Sequence, residues 1–410
     1  MSSPLRFTFV VSRYAADILG GAEKHARDVA EQLAARGHDV RVLSTCARQY
    51  STWKNELPPG VAREGGVEVV RFPLPLRRLV GVDDLCKAVA CRFPTRRALA
   101  DAWYVAAGPV CPALVRRAVT ETHTRDLVTH FSLLSWVTAH ALEAQPRRAA
   151  LVPLVHDEPP TYLARAAETL RLPAAILANT EEEWARIARV AGPAVAPGLV
   201  VATGQGPAPA LDPSFRPPVE GPYLLLLGRM AKARPVIAAY RALRALDATL
   251  EVGGKRIAAR DLTLLAVGER HRAFDGEAGV HMTGFVDDET RWQLLHRATA
   301  LVNPSRYESL SLVLLEAWAC GVPVAVNAAC DVTVGQCARS DGGFAVDFED
   351  PAAAAKALLA GLEGEERRRA MGAHGKAYVE RRYAWDRVTR LYEAVARGMR
   401  DGDLDVSRLG

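Results

Sequence analysis

The sequence lacks the long apolar run that a membrane-spanning helix requires. It contains no uninterrupted stretch of about 18 or more apolar residues, the length needed to cross a bilayer. Its first residues enter a strand-like segment directly and show no cleavable signal pattern. These absences predict a cytoplasmic protein and leave peripheral contact at the inner membrane face as the one membrane association still open.

Metal-binding and redox motifs are also missing. The seven cysteines form no C-x-x-C pair and no cysteine–histidine ligand spacing, and no D-x-D element stands where it would serve a metal. An odd number of thiols is typical of a reducing compartment. We therefore expect no metal and no resident cofactor. The 410 residues are too many for one ordinary core and indicate two or three domains.

Positive charge is concentrated in residues 71–97. Seven basic residues stand there against Asp83 and Asp84, with leucine, valine and phenylalanine between them. Such a segment suits either a solvated helix face or a surface that meets anionic lipid headgroups or an anionic acceptor. No nucleic-acid-binding motif accompanies the charge, so we expect no nucleic-acid partner.

The N-terminal half alternates strands and helices in the way that builds a parallel sheet. Residues 6–12 form a strand-like run, and residues 21–37 have the apolar spacing of an amphipathic helix. Residues 39–44 form the next strand and complete a βαβ unit. Further strands are predicted at 67–72, 126–130, 150–155, 174–178 and 199–202.

A segment rich in proline and glycine, residues 204–222, interrupts this rhythm because it sustains neither regular structure. Strands are predicted again at 223–227, 262–267, 280–283, 300–302, 323–326 and 344–348. The sequence thus predicts an α/β fold of two doubly wound domains facing across a cleft. Their bounds are 1–205 and 221–385, with a linker at 206–220. In such folds ligands lie outside the carboxyl ends of the strands.

The most informative segment is residues 304–324, PSRYESLSLVLLEAWACGVPV. From Ser309 to Val326 the only charged residue is Glu316, and a carboxylate in so apolar a run needs hydrogen-bond donors. A helix that starts near Ser309 would offer free amides to an anion, with Glu308 at its entrance and Glu316 about 12 Å further on. That spacing suits a sugar, a diphosphate and a ribose. The alternative is that Glu308 caps the helix and Glu316 pairs with an arginine.

Residues 224–234, LLLLGRMAKAR, place cations after a strand. The strand ends at Gly228, and Arg229 and Arg234 follow it. Fixed guanidinium groups at a carboxyl end would neutralise a diphosphate and stabilise its departure. The alternative is a pair of surface charges that begin a helix.

Together these segments resemble glycosyltransferase family 4, a group of retaining enzymes with the GT-B fold, and the resemblance extends over nearly the whole chain. Glu308 and Glu316 reproduce the E-x7-E element of that family within its P-S-x-x-E…E-A-x-A-x-G-x-P-V frame. The resemblance implies that Glu308 lies against the donor sugar and that Glu316 holds the ribose. It also implies that four backbone amides hold the phosphates, those of Ser309, Leu310, Ser311 and Leu312.

The resemblance assigns further residues of the C-terminal half. Arg229 matches the Gly-Arg element of the family. Arg234 stands where the family has a phosphate-binding lysine, and this departure leaves Lys232 as an alternative ligand. Gly284 and Phe285 match the stretch whose backbone meets the nucleotide base.

The N-terminal half carries the resemblance too. Gly20 and Gly21 match a glycine loop that donor phosphate or acceptor approaches closely. His156 matches the histidine that contacts a hydroxyl of the donor sugar. The Gly-Val-Asp that the family has after the last strand of this domain is replaced by the sequence around Gly204, and a closing helix at about 386–405 is expected to cross back onto the first domain.

The function implied is a retaining hexosyltransferase that moves a sugar from a UDP- or GDP-sugar to a hydroxyl acceptor, which is either linked to a glycan or lipid or is a small metabolite. His156, Glu308, Arg229 and Arg234 take the catalytic roles. Two alternatives share the fold. A nucleotide-sugar epimerase would turn over the donor without an acceptor, and a non-catalytic partner subunit of a glycosyltransferase would bind donor weakly or not at all.

Overall fold

The computed structural model describes residues 3–18, 20–78, 81–228 and 233–409. The chain divides into two compact units, one formed by Met1–Gly204 with Trp385–Gly410 and the other by Gln205–Ala384. Each unit contains a mainly parallel β-sheet of its own, with helices in the connections. The α/β class with two doubly wound domains is therefore confirmed.

The sheet of the first unit has eight strands in the described part of the chain. They are β1 (Arg6–Val10), β2 (Asp39–Thr45), β3 (Gly60–Glu64), β4 (Val67–Phe72), β5 (Leu127–Phe131), β6 (Ala150–Val152), β7 (Ala175–Ala178) and β8 (Gly198–Val200). Their order is β3-β4-β2-β1-β5-β6-β7-β8, and the pairs are parallel except for the antiparallel pair of β3 with β4 at one edge. Strands β2 to β4 extend the sheet on one side of β1, and β5 to β8 extend it on the other side.

The helices of this unit lie in the connections between its strands. They are α1 (Gly21–Ala35), α2 (Val82–Arg92), α3 (Arg97–Ala107), α4 (Pro112–Glu121), α5 (Trp136–Ala144), α6 (Ala164–Thr169) and α7 (Glu181–Ala191). The apolar stripe of α1 buries Val29 and Leu33 against Phe7 and Phe9 of β1. This packing explains why the i, i+4 spacing of apolar residues correctly predicts the helix.

The sheet of the second unit consists of six parallel strands within the described residues, in the order β13-β12-β9-β14-β15-β16. A separate antiparallel hairpin joins β10 and β11. The strands are β9 (Tyr223–Gly228), β10 (Thr249–Val252), β11 (Lys255–Ala258), β12 (Thr263–Gly268), β13 (Val280–Gly284), β14 (Ala300–Asn303), β15 (Val324–Asn327) and β16 (Gly343–Val346).

The remaining helices follow the strands of the second unit, and the last of them returns to the first unit. They are α8 (Ala233–Arg244), α9 (Asp288–Arg297), α10 (Leu312–Ala319), α11 (Asp331–Ser340), α12 (Pro351–Leu362), α13 (Glu365–Arg382) and α14 (Trp385–Asp401). Helix α10 is apolar on nearly every side and is buried from Leu314 to Ala319, as expected of a helix inside a fold.

Helix α14 packs into the core of the first unit. Val388 and Tyr392 are fully buried there, and the ring centroid of Tyr392 lies 6.0 Å from that of Phe9. A Cβ atom on Gly204 would lie 2.3 Å from the Trp385 ring. The glycine in the altered linker motif is thus required by the first residue of α14.

The structure corrects two sequence predictions and adds three strands that the sequence did not indicate. The helix expected near Ser309 begins at Leu312, so part of the 12 Å spacing drawn from Glu308 to Glu316 lies outside a helix. The strand expected over 150–155 ends at Val152. Strands β3, β10 and β11 were not predicted, because each is short and lies in an antiparallel pair outside the βαβ repeat.

Candidate functional site

In the second unit the chain reverses its direction of sheet growth between β9 and β14. Strands β12 and β13 extend the sheet on one side of β9, and β14 to β16 extend it on the other. A reversal of this kind opens a crevice at the carboxyl ends of the two central strands, where doubly wound folds bind ligands. Gly228 ends β9, and Asn303 ends β14. The two segments that the sequence singled out therefore begin at this crevice.

The loop after β14 is held by two asparagines. The side chain of Asn303 accepts the amide of Ser305 at 2.9 Å and donates to the hydroxyl of Ser311 at 2.8 Å. Asn327, at the end of β15, donates to the carbonyl of Pro304 at 2.8 Å. These bonds tie both ends of the loop to the sheet and preorganise it. Neither asparagine was singled out in the sequence.

The N-terminus of α10 follows directly on this loop. Its N-cap residue, Ser311, has a left-handed backbone with φ of 73°, and the hydroxyl of Ser311 does not cap the helix. The first amides of a helix have no intrahelical acceptor and carry the positive end of its dipole. Of the four predicted phosphate amides, those of Ser311 and Leu312 lie at this helix start, whereas Ser309 and Leu310 precede it in the loop; Ser309, Leu310 and Ser311 are all buried.

The two glutamates of the E-x7-E element have different surroundings. Glu316 is buried on α10 and accepts a charged hydrogen bond from Arg291 of α9. Glu308 is half-buried before the helix, and burial together with the charge of Glu308 raises the pKa of Cys330. The donor expected around Glu316 is present. Because it is an arginine, it matches the alternative stated for that residue, and the ribose role stays a prediction.

The predicted cations after β9 fall partly outside the described residues. Arg229 and Lys232 both lie there. Arg234 is described, and it is an exposed residue in the first turn of α8. Its chain position is close to the carboxyl end of β9, because only five residues separate it from Gly228.

The predicted base-binding pair lies at the same edge of the sheet. Gly284 ends β13 with φ of 80°, and a Cβ atom built on it would meet nothing within 4 Å. Val267 is in register with Gly284, and Gly268 is in register with Gly228. Two strand spacings of about 4.8 Å therefore separate Gly284 from the end of β9. Phe285 is 73% exposed, which leaves its ring free to contact a planar ligand.

The first unit has a pocket of its own at its switch point, between β1 and β5. The pocket encloses about 210 Å³ outside the carboxyl ends of these strands. Its wall includes Ala22 and Glu23 of the predicted glycine loop. The other lining residues are Val11, Ser12, Arg13, Tyr50, Trp53, Gly108, Pro109, Phe131, Ser132, Leu134 and Ser135.

An ion pair forms one side of this pocket. The Nε atom of Arg13 donates to Glu23 at 2.8 Å, and the guanidinium of Arg13 lies 5.3 Å from the centroid of the Tyr50 ring. A Cβ atom on Gly20 would collide with the Glu23 carboxylate at 1.8 Å, whereas one on Gly21 would face open space. The ion pair therefore requires glycine at position 20, whereas the glycine at position 21 leaves open space beside the helix start. Arg13 and Tyr50 were missed in the sequence, although Arg13 follows a strand just as Arg229 does.

His156 follows β6 at the carboxyl edge of the same sheet. Its side chain is 34% exposed, and Nδ1 lies 3.5 Å from a carboxylate oxygen of Glu158. Three non-glycine residues along this edge, Ser132, Leu154 and Ala202, have positive φ. Strained backbone of this kind concentrates at functional sites.

Two other histidines of this unit, His25 and His130, are buried and kept neutral at neutral pH. Burial lowers the pKa of His25 to about 3 and that of His130 to about 4. Burial also raises the pKa of Glu183 to about 7, although hydrogen bonds from backbone amides act in the other direction. No group of three or more histidine, cysteine, aspartate or glutamate residues is arranged for a metal ion in the described ranges.

Comparisons with known proteins agree with this architecture. Residues 210–378 match the family model of glycosyl transferases group 1. The D-inositol 3-phosphate glycosyltransferase of Xylanimonas cellulosilytica is 26% identical over 90% of this chain and 89% of its own length. The phosphatidyl-myo-inositol mannosyltransferase of Mycobacterium leprae is 28% identical over 94% of this chain and 96% of its own.

Solved structures share the fold at lower identity. A sucrose-phosphate synthase from Thermosynechococcus elongatus matches with a TM-score of 0.69 and 16% identity over 97% of this chain and 100% of that chain. An α,α-trehalose-phosphate synthase (UDP-forming) from Burkholderia vietnamiensis matches with a TM-score of 0.60 and 12% identity over 96% of this chain and 100% of that chain. At these identities the likeness concerns the fold alone.

Proposed function

Because the chain is a GT-B glycosyltransferase of the family 4 type, with its group 1 region at residues 210–378, we propose that it moves a hexose from a nucleoside diphosphate sugar to a hydroxyl group with retention of anomeric configuration. One observation carries this proposal. The switch point between β9 and β14 combines a loop tied to the sheet by Asn303 and Asn327, the N-terminus of α10 and the E-x7-E element.

Charge explains how this arrangement would promote transfer. The amides at the start of α10 carry partial positive charge, and Arg234 carries a full charge; both segments follow strands whose carboxyl ends meet at one crevice. Negative charge grows on the diphosphate as the bond to the sugar breaks, so these groups stabilise the transition state more than the bound donor. The leaving phosphate then accepts the proton of the acceptor hydroxyl. This scheme needs no resident metal and no side-chain nucleophile.

The acceptor we propose is a phosphorylated polyol of one ring, such as an inositol phosphate. Two relatives are named for inositol-based acceptors. The pocket of the first unit, at about 210 Å³, is smaller than the pockets that hold drug-sized ligands and suits a single ring. Ser12, Ser135 and Glu23 on its wall can bond hydroxyl groups, and Arg13 can meet a phosphate.

The test is a thermal-shift screen of UDP- and GDP-sugars, followed by mass spectrometry of reactions that contain myo-inositol 3-phosphate. We expect one donor to raise the melting temperature, and a product heavier than the acceptor by one hexose. Conversion of the donor to an isomer without acceptor would identify an epimerase. No shift with any donor would favour a non-catalytic partner subunit.

Replacement of Glu316 by alanine should weaken binding of the matching nucleoside diphosphate by about 1.5–3 kcal/mol, because a charged hydrogen bond to the ribose is lost. Calorimetric titration measures this change. Glu380→Ala, which removes an exposed glutamate of α13 in the same unit, should leave the affinity unchanged. If Glu316 serves only Arg291, the variant will melt at a lower temperature and yet bind the nucleotide as tightly as the wild type.

We also propose that the first unit contacts anionic membranes through α2. Four apolar side chains on α2 and just after it are exposed: Val82, Leu85, Val89 and Phe93. Of the seven basic residues in 71–97, three form ion pairs with carboxylates, and the charge of Lys87 acts on Glu158. Arg77, Arg92 and Arg96 form no ion pair in the described ranges. Basic charge beside an apolar face suits adsorption to anionic lipid.

No single helix in the described ranges is long and apolar enough to span a membrane. Helices α3 and α4 meet the length and apolarity criteria only when taken together, and they are bent by 102° relative to each other.

Co-sedimentation with vesicles tests this surface. The wild type should bind vesicles that contain phosphatidylglycerol and not vesicles of phosphatidylcholine alone. Leu85→Ser combined with Phe93→Ser should abolish binding. The matched control, Val61→Ser with Leu211→Ser, removes equally exposed apolar side chains elsewhere and should bind as the wild type does. Equal binding by both double variants would exclude α2 as the contact.

A further inference from the structure

Glu183 is a carboxylate in the interior of the first unit. It lies in the first turn of α7 with 0% of its surface exposed. One of its oxygens accepts the backbone amide of Val155 at 2.6 Å, and the other accepts the amide of Asn179 at 2.6 Å. Burial of a carboxylate is costly unless its oxygens are bonded. The two amides meet that requirement.

The contacts of Glu183 reach beyond the start of α7. The N-cap is Thr180, whose hydroxyl accepts the amide of Glu183 at 3.2 Å. A capping box would join the glutamate only to the amide of the N-cap residue. Glu183 also bonds to Asn179, the residue before the N-cap, and to Val155, which lies 28 positions earlier in the chain. One oxygen thus joins α7 to the segment after β6.

That segment carries His156 and is strained. Leu154 has a left-handed backbone with φ of 54°, a conformation in which the Cβ of an L-residue crowds the following carbonyl oxygen. Such conformations persist only where the surroundings fix them. On the other side of His156, its carbonyl accepts the hydroxyl of Thr161 at 2.8 Å. The backbone is therefore anchored directly before and directly after His156.

We propose that Glu183 is a positioning residue for His156: it holds the amide of Val155, and thereby the strained turn at Leu154, in the geometry that presents the histidine. The inference rests on the proposed function, because His156 acts on the donor sugar only if the chain transfers one. Glu183 itself touches no substrate in this account. It acts through the main chain of the neighbouring residue.

The variant Glu183→Gln tests this role. It keeps the size of the side chain but turns an amide donor toward one of the two backbone N–H groups, so one bond is lost. We expect kcat to fall by on the order of 10–10²-fold, the range for a catalytic group displaced by up to about 1 Å. The KM for donor and the affinity for nucleoside diphosphate should remain unchanged. Additivity supplies a second readout: in a His156→Ala background, Glu183→Gln should cost less than about twofold further.

Glu121→Gln is the matched control. Glu121 is also buried in the first unit, but it bonds Arg41, Arg117 and Arg125 and lies near the amino end of β5. That variant should lower the melting temperature with kcat retained. If Glu183→Gln does not fold, Glu183→Asp keeps the charge, shortens the reach to Val155 and should show the same loss of kcat and the same lack of additivity.

A spectroscopic readout separates this inference from the proposed function. The ring signal of His156 in a carbon–proton correlation spectrum is assigned by its disappearance in His156→Ala. It should shift in Glu183→Gln and not in Glu121→Gln. A wild type that transfers no sugar would refute the proposed function, while the shift would still decide the positioning role. An unmoved His156 signal, or a loss of rate that adds fully to that of His156→Ala, would overturn the inference.

Discussion

Arg234→Ala should lower kcat by on the order of 10²–10³-fold, the scale seen when one preorganised electrostatic contact to a transition state is removed. Arg234 is exposed in the first turn of α8, which follows the carboxyl end of β9. The diphosphate gains charge as the sugar bond breaks, so loss of the guanidinium should affect turnover more than binding of the nucleoside diphosphate. Steady-state kinetics and calorimetry together measure the two effects.

Two variants sharpen this result. Arg234→Lys restores the residue that the family usually has and keeps the charge, so it should retain much more activity than Arg234→Ala. Arg241→Ala, on the same helix, removes an exposed arginine whose partner is Glu277, and it should leave kcat unchanged. Lys232 and Arg229 lie outside the described residues. A silent Arg234→Ala beside a damaging Lys232→Ala would make Lys232 the phosphate ligand.

His156→Ala should lower kcat by on the order of 10²-fold and leave the affinity for nucleoside diphosphate nearly intact. The reason is that His156 is assigned to a hydroxyl of the sugar, which the nucleoside diphosphate lacks. The half-exposed ring at the end of β6 and its contact with Glu158 are compatible with this role. Initial-rate assays in which the nucleoside diphosphate competes with the donor give both kcat and the affinity for the nucleoside diphosphate.

The control for His156 is His123→Ala. His123 is exposed after α4, near the start of β5 rather than at the carboxyl edge of the sheet. Its removal should change neither kcat nor affinity. A loss of diphosphate affinity in His156→Ala as large as the loss of rate would show that His156 acts on the nucleotide or on the fold instead of on the sugar.

The strands of the two parallel sheets were predicted well, because short apolar runs in the sequence indicate them. Strand β4 matches its predicted bounds, and most other strands differ by one or two residues. The main misses have physical causes. Strand β3 and the hairpin of β10 with β11 are antiparallel additions outside the βαβ rhythm. Helix α10 begins later than predicted because the left-handed backbone of Ser311, whose hydroxyl accepts a bond from Asn303, ends the loop only at that residue.

The candidate site was predictable only in part. Parallel strands bring their carboxyl ends to one edge, so the segments after β9 and β14 could be placed together from their order alone. The hydrogen-bond partner of each residue could not be predicted in this way. Arg291 lies 25 positions before Glu316, and Val155 lies 28 positions before Glu183. Contacts of this range depend on how helices pack on the sheet, and a single sequence carries no pattern that specifies them.

One measurement tests the central claim most directly. A proton NMR time course would follow the anomeric signal of the donor identified by the thermal-shift screen, in the presence of myo-inositol 3-phosphate. The account predicts that this signal is replaced by that of a glycoside with the same anomeric configuration, with one nucleoside diphosphate released per glycoside. Conversion of the donor to an isomeric sugar nucleotide would contradict it. So would a donor signal that stays unchanged with the wild type and with Arg234→Ala alike.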